Sequence, residues 1–130
     1  MKKLVPILLL LLALACADEQ KPSPGEAAKQ AAQECYDHLL AGRYDMFVNG
    51  RVGSDSLPQS YREQLTTACK QFMAQQRVAH GGIASFQVSN VRVDSTQNLV
   101  QVFLVLQYGD ATQEEIVVPM VMYDGEWKMK

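Results

Sequence analysis

The side chains with the clearest capacity for chemistry in this sequence are the thiols of Cys35 and Cys69. Each falls on the apolar face of a long predicted helix. In an oxidising compartment a disulfide between them would close a loop of about 34 residues and stabilise the domain by roughly 3 kcal/mol. The alternative is two free thiols packed as small apolar groups, because a sequence does not fix the distance between two sulfurs.

No other group of residues has the composition and spacing of a catalytic or metal site. His38 and His80 lie far apart, on different predicted helices, and do not have the spacing of metal ligands. The sequence also lacks a nucleophile elbow and a glycine-rich loop that could hold a phosphate. We therefore predict no catalytic residue, no metal and no cofactor.

Length, composition and charge restrict the class of protein. The chain has 130 residues, of which 48% are hydrophobic and 20% charged, as expected for one globular domain. The net charge is -2, so the chain lacks the excess of basic residues with which proteins bind nucleic acid. We exclude nucleic acid as a partner on this ground, and the absence of an internal repeat excludes a solenoid.

Residues 1–15 have the composition of a signal peptide. Lys2 and Lys3 precede an uncharged apolar stretch, residues 4–15, which is too short to span a bilayer comfortably. Residues 13–16 (ALAC) resemble the lipobox of bacterial lipoproteins, with alanine where leucine is commonest. The resemblance implies that Cys16 is lipidated and becomes the first residue of the mature protein. A plain secretory signal is the alternative.

The lipoprotein resemblance also predicts where the protein lies. Acyl chains such as palmitate on Cys16 would anchor it stably, since two or more chains hold where one holds only marginally. Ala17, the residue after the cysteine, is typical of Gram-negative lipoproteins of the outer membrane, on its periplasmic or its surface face. Residues 16–23 are polar and contain proline, so we interpret them as a flexible tether between the membrane and the folded domain.

Residues 24–130 are predicted to form a single α+β domain. Apolar residues recur at helical spacing after Pro24 and again after Pro58, with a short helical turn between these two helices. After Gly82 the period changes to two, which predicts strands over residues 84–94, 99–108 and 114–123 and a fourth after the turn at residues 124–125. The expected fold is N-terminal helices packed on a curved, cone-like, four-stranded antiparallel sheet.

Local features of the predicted strands place them within the sheet. The strand over residues 99–108 is apolar on both sides, as is typical of a central strand. A change of phase at residues 89–90 predicts a β-bulge. The turn at residues 124–125 pairs the last two strands so that Pro119, which has no N–H to donate, falls opposite the end of the fourth strand. Trp127 is predicted to cover the end of the sheet on the helix side; the alternative is a position on the outer face, where it would anchor a partner.

Two short segments carry a resemblance to a known superfamily. Residues 39–44 (LLAGRY) follow the first helix, and residues 124–129 (DGEWKM) end the chain. With the order of helices and strands, they resemble the superfamily of nuclear transport factor 2 (NTF2) and ketosteroid isomerase, and more narrowly small uncharacterised bacterial lipoproteins with an NTF2-like domain. A cystatin-like arrangement, one helix wrapped by a sheet, is the near alternative.

The resemblance implies a cone-shaped cavity whose lining includes Tyr36, Tyr108 and Tyr123. Isomerases of this superfamily use an acidic base and an oxyanion pair inside the cone. Asp37 is the neighbour of Tyr36 and therefore points about 100° away from it on the helix, so no carboxylate is required to face the cavity. The alternative for the tyrosines is a role in core packing, with their hydroxyls in water.

These observations favour a lipid-anchored envelope protein that acts without catalysis, by binding a small apolar molecule or an envelope protein. The alternative is a cone-fold enzyme of the isomerase or hydratase type, acting on a small apolar substrate. A third hypothesis is a homodimer formed through the exposed face of the sheet. A deep cavity with a buried carboxylate would favour the enzyme, whereas a filled cone with an apolar outer sheet would favour docking or dimerisation.

Overall fold

The structure, a computed structural model, describes residues 21–130. The predicted leader, Cys16 and the tether up to residue 20 lie outside the described residues. Helices precede strands, as predicted, and the α+β class is confirmed. The elements are α1 (Pro24–Leu40), α2 (Tyr44–Asn49), a 3-10 turn (Ser54–Ser56), α3 (Gln59–His80), β1 (Ile83–Asp94), β2 (Leu99–Tyr108), β3 (Gln113–Tyr123) and β4 (Glu126–Met129).

Helix α1 begins and ends at residues whose chemistry favours a helix terminus. The Ser23 hydroxyl accepts a hydrogen bond from the Glu26 backbone N–H at 3.2 Å, and Pro24 occupies the first turn, where its missing N–H costs nothing. Gly42, with φ +81°, lets the chain reverse after the last turn. The buried face of α1 packs toward the sheet and consists of Ala28, Ala32, Cys35 and Leu39.

The sheet is an antiparallel meander in the order β1-β2-β3-β4. β2 is an interior strand, as predicted, and its side chains alternate between buried and partly exposed along its whole length. The register of β1 against β2 shifts between Val88 and Asn90, which confirms the predicted bulge. A bulge bends and twists its strand, so it helps the sheet to curve around α1.

β4 is hydrogen-bonded along both of its edges, to β3 on one side and to residues 50–52 on the other. Met122 lies opposite Trp127, and the Lys130 N–H donates to the Pro119 carbonyl at 2.9 Å, as the pairing in the sequence predicts. On the other side of β4, Met129 exchanges hydrogen bonds of 2.8 Å with the backbone of residues 50–52. The segment between α2 and α3 therefore covers an edge that would otherwise be open to pairing with another chain.

The space between α1 and the sheet is filled by side chains. Ala28, Ala32, Leu104 and Met120 all have 0% of their surface exposed, and they belong to one apolar cluster. In contrast, Met73 is the only buried residue among the 22 of α3. The interior between α1 and the sheet is therefore packed, whereas most residues of α3 lie at or near the surface.

Helix α3 is attached to the rest of the domain at its C-terminal end. The Gly109 N–H donates to the Gly82 carbonyl at 2.8 Å, and the Asp110 N–H donates to the His80 carbonyl at 2.9 Å. An added Cβ at Gly109 would overlap the backbone of Gly81. The close approach of these two backbone segments therefore requires glycine at residue 109. Within residues 21–130, none of the helices is both long enough and apolar enough to cross a membrane.

Candidate functional site

A cavity of about 230 Å³ lies where the three helices meet. Its lining is mainly apolar and contains neither a carboxylate nor a histidine. The lining residues are Tyr36 and Leu39 from α1, Phe47 and Val48 from α2, Arg51 from the segment after α2, and Leu65, Ala68, Cys69 and Phe72 from α3. An apolar cavity of roughly 150 Å³ is enough for benzene, so this one has room for a somewhat larger molecule.

The helical repeat explains why α3 faces the cavity with these residues. Leu65, Ala68, Cys69 and Phe72 follow each other at spacings of three and four, which places them on one side of a helix. Part of that side stays open: Phe72 keeps 41% of its surface exposed, although it is a large apolar side chain. The cavity is thus the part of the apolar side of α3 that α1 and α2 do not cover.

Tyr36 forms the aromatic wall of the cavity. Its ring lies edge-on to the ring of Phe47, with centroids 5.5 Å apart, and to that of Phe86 on β1, at 6.0 Å. Burial, with a smaller contribution from the neighbouring thiols, raises the pKa of Tyr36 to about 12. The hydroxyl is therefore protonated at neutral pH, so it can donate a hydrogen bond to a ligand but is a poor general base.

The two cysteines have different surroundings. Cys69 lines the cavity, where burial raises the pKa of its thiol and the charge of Arg51 lowers it by less. Cys35 is buried on α1 against Gly50 and does not line the cavity, and burial followed by the charge of Glu34 raises its pKa to about 11. Both thiols are free in the structure, and the disulfide between them stays a prediction for the protein in an oxidising compartment.

The structure does not bring the three candidate tyrosines together. Tyr36 lines the cavity, but Tyr108 and Tyr123 do not. Tyr108 is buried at the end of β2, where its hydroxyl donates to the Glu114 carboxylate at 2.5 Å and its ring stacks on His80, with centroids 4.5 Å apart. The bond to Glu114, followed by burial, raises the pKa of Tyr108 to about 12. Tyr123 is 44% exposed beside the last hairpin.

The carboxylates near the helices lie in other surface grooves. Glu34 and Asp37 line an open groove between α1 and the start of β1, so Asp37 is directed away from the cavity that Tyr36 lines, as the helical geometry predicts. In residues 21–130, no group of three or more histidine, cysteine, aspartate or glutamate side chains could hold a metal ion. Neither Glu34 nor Asp37 lines the apolar cavity.

The sequence predicts Tyr36 as a cavity residue and suggests a role for Cys69 only in a disulfide, and it does not single out Arg51. Arg51 lines both the apolar cavity and a neighbouring polar groove beside the last hairpin. Its position is fixed by the backbone of residues 50–52, which pairs with β4. That pairing joins segments far apart in the chain, and no periodic pattern in the sequence signals it.

The outer face of the sheet is the surface that the partner hypotheses would use. Phe103 on β2 lies opposite Val117 on β3, and Val117 is 46% exposed. The guanidinium of Arg92 lies over the ring of Phe103, 5.9 Å from its centroid, which shields part of this apolar surface. The homodimer and the contact with an envelope protein stay predictions.

Comparison with known proteins identifies the fold. No protein-family model matches the chain, and no curated protein matches it. Among solved structures, it is similar to a protein of Campylobacter jejuni named as a candidate NTF2-like transpeptidase, with a TM-score of 0.60 and 10% sequence identity. The match covers 77% of this chain and 94% of that chain. It shows an NTF2-like fold, which confirms the fold that the sequence resemblance implies.

Proposed function

From the NTF2-like fold and the cavity between its helices, we propose that this protein binds a small apolar molecule without transforming it, as a lipid-anchored module of the bacterial cell envelope. The observation that carries the proposal is the composition of the cavity. Among its lining residues, Tyr36, Cys69 and Arg51 are those with polar side-chain groups. A ligand site typically combines an apolar lining with a few polar groups that fix the orientation of the ligand.

The size of the cavity restricts the ligand to a small molecule. Drug-sized ligands occupy cavities of about 300–1,000 Å³, and this cavity, at about 230 Å³, is smaller. A steroid-sized substrate would need more room than the three helices leave. The proposal therefore concerns a compact molecule, whose affinity comes from the apolar surface that it buries against Phe47, Leu65 and Phe72.

The chemistry of the lining does not favour the enzyme alternative. General acid–base catalysis needs a group that titrates near neutral pH, and the raised pKa of Tyr36 leaves its hydroxyl protonated. A transpeptidase, as the Campylobacter protein is named, is expected to need an activated nucleophile. Cys69 is the thiol in the cavity, and the burial that raises its pKa disfavours the reactive thiolate.

Filling the cavity is expected to weaken the binding of an apolar probe strongly. Ala68 lines the cavity on α3, so the side chain introduced by Ala68→Phe would occupy the space that a ligand needs. Titration calorimetry with 1-octanol should show saturable binding to the wild-type protein and at least a tenfold loss of affinity in the variant.

Ala74→Phe is the matched control, because Ala74 is an exposed residue of the same helix that does not line this cavity. It should bind 1-octanol like the wild type. Equal weakening in both variants, or no binding of 1-octanol to the wild type, would contradict the assignment of this cavity as an apolar binding site.

The envelope location is proposed from the sequence alone. The apolar stretch before Cys16 and its resemblance to a lipobox support lipidation there. The polar tether that follows would hold the domain close to the membrane without constraining its orientation. A binding module placed in this way would meet molecules that enter or leave the envelope.

Metabolic labelling with an alkyne fatty acid is expected to mark the wild-type protein when a lipoprotein-processing bacterium expresses it. Cys16→Ser should lose the label, because the lipid is attached through the sulfur of the cysteine. Cys35→Ser, which leaves Cys16 in place, should keep it. Equal labelling of the wild type and Cys16→Ser would exclude Cys16 as the site of lipidation.

A further inference from the structure

The charge at the rim of the apolar cavity suggests which class of small molecule it takes. Arg51 lines the cavity together with Cys69, and its charge lowers the pKa of that thiol against the larger effect of burial. The ion pairs among residues 21–130 do not include Arg51. Arg51 is an exposed residue, and its guanidinium has no ionic partner among the described residues.

Two neighbouring cations differ from Arg51 in this respect. The guanidinium of Arg62 donates to the Ser54 carbonyl at 2.7 Å and to the side-chain carbonyl of Asn49. The ammonium of Lys128 donates to the Asn49 carbonyl at 3.2 Å and lies 3.6 Å from the Glu126 carboxylate. These contacts hold the segment between α2 and α3 in place, whereas the charge of Arg51 is not used in that way.

Carboxylates lie on the other side of Arg51, in the polar groove. Asp55, Asp124 and Glu126 line the polar groove that Arg51 shares, but none of them forms an ion pair with it. On the side of the apolar cavity, no carboxylate is present among the lining residues. A guanidinium offers several N–H donors in a plane, which suits the two oxygens of a carboxylate.

We propose that the ligand of this cavity is a free monocarboxylate with a compact apolar body, and that Arg51 binds its carboxylate at the rim. The apolar body lies against Phe47, Leu65 and Phe72, and the Tyr36 hydroxyl is available as a further donor. This inference rests on the proposed binding function and specifies the class of ligand. It requires that the cavity distinguish an acid from the alcohol of the same chain length.

Octanoate and 1-octanol test this distinction, because they share an apolar chain and differ in the charge of the head group. Titration calorimetry on the full-length protein at pH 7 should show octanoate binding about fivefold more tightly than 1-octanol, at the upper end of the effect of a solvent-exposed ion pair. Arg51→Gln should remove that difference, because it should weaken the binding of octanoate more than that of 1-octanol. Added salt should weaken the binding of octanoate only.

Arg77→Gln is the control for a general loss of positive charge, since Arg77 is exposed near the end of α3 and does not line the cavity. It should keep the preference for octanoate. Equal affinities of the wild type for octanoate and 1-octanol would overturn the inference but leave the apolar site in place. The same conclusion would follow if a normally folded Arg51→Gln lost affinity for both probes equally. If neither probe bound, the proposed function would fail together with the inference.

Discussion

Leu104→Ala is expected to lower the free energy of unfolding by about 3–4 kcal/mol, because it opens a cavity in the centre of the core. Leu104 has 0% of its surface exposed, and it lies between Val88 on β1 and Ile116 on β3 in the middle of the sheet. Domains of this size are stabilised by only about 5–15 kcal/mol. Urea unfolding followed by circular dichroism would measure the loss.

Val105→Ala is the matched control for this substitution. Val105 is the next residue of the same strand, but its side chain lies on the partly exposed outer face, opposite Gln87 and Glu115. We expect its cost to be about 1 kcal/mol or less. Similar costs at the two positions would mean that the outer face is buried in solution, which would favour the homodimer that the sequence suggests.

The strands could be predicted closely because their side-chain pattern has a fixed period of two. β2 was predicted over residues 99–108 and is observed there, since its alternating buried residues must all face α1. The same pattern located the bulge in β1, because a single extra residue reverses the phase. The hairpin at residues 124–125 then determined the pairing of β3 with β4.

The helices were also predictable, and for a local reason. Ser23 and Pro24 are favourable at the start of α1. The glycines at residues 81–82 are favourable after the end of α3. The observed α3 ends at His80, and Gly81 adopts φ +77°, a conformation that glycine adopts without strain. Such signals lie within a few residues of the helix terminus, so a single sequence contains them.

The position of the cavity could not be predicted in the same way. The apolar stripe of α3 was visible in the sequence, but a stripe does not show which part of it a neighbouring helix will cover. Tyr108 and Tyr36 were both plausible cavity residues, and the structure separates them because Tyr108 bonds to Glu114 at the far end of β2. The place of Arg51 depends on the pairing of residues 50–52 with β4, which joins distant parts of the chain.

Trp127→Ala is expected to lower the free energy of unfolding by about 2–3 kcal/mol, less than the full cost of deleting a buried tryptophan. Trp127 packs against the core cluster but remains partly exposed. It lies opposite Met122 on the face of β4 that is turned toward α1. Since β4 has only four residues, the ring supplies much of the apolar contact that holds this strand to the domain.

Two comparisons separate a role in the core from a role in an interface. Val78→Ala removes an apolar side chain that is 90% exposed, so it should leave the urea midpoint unchanged. Trp127→Phe should retain most of the stability that Trp127→Ala loses. If Trp127→Ala instead unfolds at the wild-type midpoint but changes the oligomeric state, as measured by sedimentation, the tryptophan belongs to an interface. We expect Trp127→Ala to lose stability because the contacts of Trp127 with the core exist only in the folded chain.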